Sequence, residues 1–116
     1  MKASSLDNIL TRENTAALKE LKDSLKKLLG NRLVRFVLYG SRARGDYEAE
    51  SDIDVAIIVS GLTRELKNQI LNMVADIEIE YLTPLSTIVI SEEDFESLKK
   101  RERRIALDIE REGISL

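Results

Sequence analysis

The chain contains no cysteine and no histidine, and it has a single proline in 116 residues. Without cysteine neither a disulfide framework nor a thiolate metal site can form. Without histidine the usual general base and the usual transition-metal ligand are both missing. Any metal site must therefore use oxygen donors, which suit a hard ion such as Mg²⁺. No apolar run approaches the length of a membrane-spanning helix, and Met1-Lys2-Ala3-Ser4-Ser5 opens without a signal-peptide pattern. The expectation is a cytoplasmic chain with no membrane association. No internal repeat, low-complexity segment or linker interrupts it, so residues 1–116 read as one domain with a single core.

What is abundant is charge, at 34% of residues, with 18 Lys and Arg against 21 Asp and Glu. The net charge of −3 argues against broad nucleic-acid binding by bulk electrostatics. High charge with little proline and no cysteine is also a feature of heat-adapted proteins.

Apolar periodicity supplies the elements. Leu18, Leu21, Leu25 and Leu28 fall at helical spacing, which predicts a helix over about Arg12 to Leu29 with Gly30 as its stop. Leu33 to Tyr39 reads as a mostly buried strand ending at Gly40, and Asp52 to Val59 as a second. A helix over about Thr63 to Glu78 carries Leu66, Ile70, Met73, Val74 and Ile77 on one face. Ser86 to Ile90 reads as a third strand. Ser91 then caps a further helix, with Glu92, Glu93 and Asp94 in its first turn. A last helix covers about Arg103 to Glu112, leaving Ile114-Ser115-Leu116 as a short tail. This order predicts an α/β (α+β) fold, a small mixed sheet with helices packed against it.

The chemistry gathers between the first two strands. Asp52 and Asp54 are two apart in a strand pattern, so their side chains share a face and their Cα atoms lie roughly 6.5–7 Å apart. Two anions on an otherwise apolar strand repel each other and resist desolvation; a cation removes both penalties. The alternative is a capping Asp52 and a solvated Asp54. Gly40 permits a sharp turn or a close backbone approach, and Ser41 can cap the short stretch after it, leaving amides suited to phosphate. Arg42 and Arg44 could meet phosphate oxygens or pair with Asp46, Glu48 or Glu50. Tyr47 could stack on a base or pack within its own loop. Lys99-Lys100-Arg101-Glu102-Arg103-Arg104, interleaved with acids, reads as a solvated helix face.

Gly40-Ser41, ten intervening residues and Asp52-x-Asp54 together resemble the minimal nucleotidyltransferases of the DNA polymerase β superfamily. The string Gly-Ser-Arg-Ala-Arg-Gly-Asp followed by Ser-Asp-Ile-Asp is similar to that of a typical member, and the match is tight from about Leu33 to Val59. The resemblance implies a polymerase-β-like fold and a nucleoside triphosphate substrate such as ATP. It further implies two Mg²⁺ ions and nucleotidyl transfer to a hydroxyl. Carried over by position, Gly40 and Ser41 would hold the triphosphate and Asp52 and Asp54 the metals. Many such proteins resemble antitoxins of a small helical toxin encoded beside them, and some of those attach AMP to a tyrosine of the toxin.

One departure stands out. The superfamily normally supplies a third carboxylate from a following strand, whereas Ser86-Thr87-Ile88-Val89-Ile90 contains none. Ser86 or Thr87 would sit near that position, and a hydroxyl is a poor base at neutral pH. Glu78 and Glu80 lie upstream, and one could swing in. Two functions fit these residues. One is transfer of a nucleotidyl group, AMP from ATP, to a hydroxyl of a partner macromolecule (a protein, with tRNA as another acceptor). The other is a catalytically weakened nucleotide-binding module acting through protein contact. The amphipathic first helix could cover the sheet or form a homodimer face.

Overall fold

The computed structural model describes residues 11–40, 43 and 52–116. Helix α1 (Arg12–Leu29) is capped by Thr11, whose hydroxyl accepts from the Asn14 amide at 3.1 Å. It buries Ala17, Leu18, Leu21, Leu25 and Leu29, the i, i+3, i+4 stripe of an amphipathic helix, while Leu28 remains 37% exposed. A 3₁₀ turn at Gly30–Arg32 leads into β1 (Leu33–Tyr39), and β2 (Ile53–Val59) returns antiparallel to it. The bulge at Val34 shifts their register between Leu33 and Arg35. Helix α2 (Arg64–Tyr81) then crosses over so that β3 (Leu85–Ser91) lies parallel to β2. Helices α3 (Glu92–Lys100) and α4 (Arg104–Glu112) come next.

The tail is a strand, not a free end. Ile114–Ser115 forms β4, antiparallel to β1 with Val37 opposite Ser115 and Leu38 opposite Ile114. Apolar–polar alternation in Ile114-Ser115-Leu116 was its signal, too short to stand alone. The sheet order is β3-β2-β1-β4, a mixed four-stranded sheet. Helix α2 also runs three residues beyond Glu78, because Tyr81 donates to Glu20 Oε1 at 2.6 Å and ties its last turn to α1.

Strand alternation divides the molecule into two cores. Phe36, Leu38, Ile53, Val55, Ile57 and Val59 face α1 and α2. Val37, Ala56 and Ile58 face α3 and α4, where they meet Phe95, Ala106 and Ile109. Ala56 through Val59 are fully buried, as a central strand covered on both faces requires. Phe95, 2% exposed, lies beneath two cations: Arg35 at 5.8 Å and Lys99 at 5.3 Å from its ring centre. Glu110 pairs with both, closing α3 and α4 onto β1.

Candidate active site

The second helical layer is short. It covers the rows Arg35–Ile58–Ile90 and Val37–Ala56–Ile88, leaving the next row, Tyr39–Asp54–Ser86, at the open end of the same sheet face. Because β1 and β2 are antiparallel while β2 and β3 are parallel, this end gathers the exit of β1 and the entrances of both other strands. Asp54 is half-buried and Asp52, just before β2, is exposed; Ile53 between them points into the other core. Within β2, Ile53 and Asp54 take opposite faces as strand alternation requires, and Asp52 stands just before the strand.

Gly40 comes directly after Tyr39, with φ at +76°. A Cβ at that position would collide with Asp54 Oδ2 and stand 3.1 Å from its Cγ and 3.2 Å from its Cβ. The glycine thus does two things: it turns the chain in the left-handed region, and its bare backbone is the surface across which the Asp54 carboxylate lies. Ser41, Arg42, Arg44 and Tyr47 lie outside the described residues. Ala43 is helical and packs against the larger core.

The β2–β3 register separates Ser86 from Thr87. In register with Asp54 on β3 stands Ser86, exposed and on the same face. Thr87 points the other way, and its buried Oγ1 has no hydrogen-bond partner among the described residues. Glu78 is committed elsewhere: its Oε2 accepts from the Leu85 amide at 2.8 Å, anchoring the start of β3. Glu80 is exposed on α2. Among the described residues no three acids cluster closely enough to hold a metal ion together. Among the described residues, the strand ends present two carboxylates, the Ser86 hydroxyl and the Tyr39 phenol.

Two features escaped sequence reasoning. The Tyr39 hydroxyl is held protonated above its ordinary pKa, first by burial and then by the carboxylates of Asp54 and Asp108. Asp108, half-buried on α4, thus belongs to the electrostatic surroundings of the site. Only the packing of α4 across β1 brings it there, so no local pattern could have revealed it. The run from Lys99 to Arg104 is not one helix face, since Arg101 and Glu102 form the turn between α3 and α4.

A mixed sheet covered by helices on both faces, with a glycine turn and paired aspartates at one strand end, is the arrangement of a nucleotidyl-transferring domain. The chain belongs to the nucleotidyltransferase domain family, whose model matches residues 18–111. It is similar to two proteins of Methanocaldococcus jannaschii. One, named "Putative protein adenylyltransferase MJ0141", is 37% identical over 73 residues, 62% of this chain and 74% of the relative. The other, named "Putative protein adenylyltransferase MJ0604", is 35% identical over 79 residues, 68% of this chain and 75% of the relative. A crystal structure described as a "putative nucleotidyltransferase" from Sulfolobus solfataricus shares the fold, with a TM-score of 0.59 at 23% identity. That likeness covers 98% of this chain and 87% of the other. The chain is a minimal nucleotidyltransferase of the same α+β architecture, and a nucleoside triphosphate is the substrate of that chemistry. Among the described residues, no helix is long and apolar enough to cross a membrane.

Proposed function

We propose that the chain transfers the adenylyl group of ATP to a hydroxyl of a partner protein, using a divalent cation held by Asp52 and Asp54. The observation that carries this reading is the Asp54 carboxylate lying across Gly40, at a strand end it shares with Asp52 and Ser86. The donor set fits Mg²⁺: all of it is oxygen, and two carboxylates offset the ion's charge. When bound, Mg²⁺ would neutralise triphosphate charge and orient the attacking and leaving oxygens. In the overall reaction the acceptor oxygen bonds to the α-phosphorus, the bond to the β-phosphate's bridging oxygen breaks, and pyrophosphate leaves. The acceptor's proton passes to solvent.

The chain's own residues have distinct parts. Gly40 keeps room for Asp54, and in this reading Gly40, Ser41, Arg42 and Arg44 bind the triphosphate. Asp54 is the deeper ligand and Asp52 the outer, solvent-facing one. Ser86 offers a hydroxyl to a ligand but not a base, so the acceptor's activation relies on the carboxylates. The names of the two archaeal relatives support a protein acceptor and AMP. A small helical, toxin-like protein encoded beside this one is the partner we propose, in the cytoplasm, with residues 1–116 acting as one domain.

The test is incubation of the chain with ATP labelled on the α-phosphate, Mg²⁺ and the neighbouring gene product. Label should move to a hydroxyl side chain of that protein and fail to move with Asp52→Asn. Absence of transfer by the unaltered chain refutes the reading. A second reading, a nucleotide-binding module that neutralises its partner without turnover, is favoured by the residues around Asp54: Ser86, not an acid, is in register with it, and Glu78 is committed to the Leu85 amide. Neutralisation undiminished by Asp52→Ala with Asp54→Ala would select it.

A further inference from the structure

Strand β3 lies at the edge of the sheet, and among the described residues it pairs only with β2. Its outer edge is the floor of a groove of about 720 Å³ walled by the start of α2 on one side and by α3 on the other. Leu62, Ile88, Ile90 and Leu98 give the groove its apolar lining. Arg64, Lys67 and Arg101 stand around it, all exposed, and no ion pair or hydrogen bond with a described residue engages their side chains. Asp94 is the single acid among the described lining residues. Three such cations around one groove are notable in a chain of net charge −3.

We propose that this groove docks an extended, acidic segment of the protein acceptor by adding it as a strand to β3. Leu85–Ser91 contains no proline, so beyond the Leu85 amide, which Glu78 holds, the edge keeps its outward N–H groups for pairing. Strand addition supplies main-chain hydrogen bonds, and the walls on both faces read alternate side chains. The cations select acidic residues and oppose basic ones. A nucleic-acid strand is the poorer fit, because no aromatic side chain stands among the described residues that line the groove for base stacking.

The groove also has a direction. From Ile90 back along β3 to Ser86, beside Asp54, is about 13 Å of strand. A segment anchored at Ile88–Ser91 therefore carries a residue about four positions away to the carboxylate end. The acceptor hydroxyl is selected by its spacing from an acidic anchor. This rests on the reading of the chain as a protein-modifying enzyme, but docking can be measured without catalysis.

The test uses the ¹⁵N-labelled full chain and a pool of short peptides with alternating valine and glutamate and a terminal tyrosine. A matched pool has lysine for glutamate, and oligothymidylate is the nucleic-acid arm. The expected result is shifts in the amides of residues 88–91 with the acidic pool alone, weakened about tenfold by Lys67→Glu with Arg101→Glu. Lys67→Gln with Arg101→Gln should weaken binding less, and the amide spectrum verifies the fold of each variant. Asp54→Asn should bind the acidic pool unchanged. Equal shifts with the basic pool, shifts confined to other elements, preferential binding of oligothymidylate, or indifference to charge reversal each overturn the proposal. Acidic-pool binding without any label transfer upholds docking while the catalytic reading fails. Transfer to the partner protein undiminished by charge reversal does the opposite.

Discussion

Replacing Gly40 by alanine strikes the site through one atom. With φ at +76°, the new residue must hold a left-handed backbone, at a cost of about 1–2 kcal/mol. A stiffer unfolded chain returns about 0.4–1 kcal/mol where the native conformation is tolerated, so the net loss is about 1 kcal/mol. For a chain of this size that lowers the melting temperature by about 4 °C. The larger effect is on Asp54. The added methyl collides with Oδ2 and crowds Cγ at 3.1 Å and Cβ at 3.2 Å, so the whole side chain must move and not only its tip. A displacement on the order of 1 Å in a positioned ligand costs roughly a hundredfold in rate. The assay combines thermal melting with α-labelled ATP transfer, on Gly40→Ala, Asp54→Ala and the double variant. The variants should couple: once Asp54 is cut back to its Cβ, Gly40→Ala should cost less stability than in the unaltered chain. Unchanged melting and unchanged transfer in Gly40→Ala would refute the claim that Asp54 needs this glycine.

Other expectations arise from single contacts. Glu78→Ala should destabilise the fold by about 1–2 kcal/mol in urea titration, since it orphans the Leu85 amide, whereas Glu78→Gln keeps an acceptor and should leave both stability and transfer nearly intact. A large loss of transfer in a stably folded Glu78→Gln would instead place Glu78 in the chemistry. Thr87→Val removes a buried hydroxyl without a partner and should raise stability by about 1 kcal/mol; a lower melting temperature would contradict that. Tyr39 has a folded pKa above its unfolded value near 10, so its contribution is intact below pH 10 and is lost as pH climbs through 10 and beyond. Tyr81, raised to about 12 by its bond to Glu20, acts with the same sign. Asp54→Asn should lower the Tyr39 pKa seen in tyrosinate absorbance without returning it to 10, because burial is the larger cause.

What the sequence revealed was local. The α1 stripe of Leu18, Leu21 and Leu25, the two strand runs and the Gly40 to Asp54 interval are set by neighbours in the chain, so periodicity and spacing reported them. The β4 pairing depends on β1, dozens of residues away, and two residues carry too little pattern to announce a strand. The choice between Ser86 and Thr87 depended on the β2–β3 register, which only packing fixes. Glu78 read as an acid that could swing in, because the partner that holds it, the Leu85 amide, appears only where α2 hands over to β3. Asp108 approaches Tyr39 through the docking of α4, which no one-dimensional pattern encodes.

The central claim is that Asp52 and Asp54, seated at the Gly40 turn, hold a nucleotide-bound divalent cation. Electron paramagnetic resonance of Mn²⁺ titrated with the chain and ATP tests it without reliance on an acceptor. The free-ion signal should fall as Mn²⁺–ATP binds to the unaltered chain, and should stay close to the protein-free level with Asp52→Asn combined with Asp54→Asn. Equal loss of free-ion signal in both proteins would contradict the assignment.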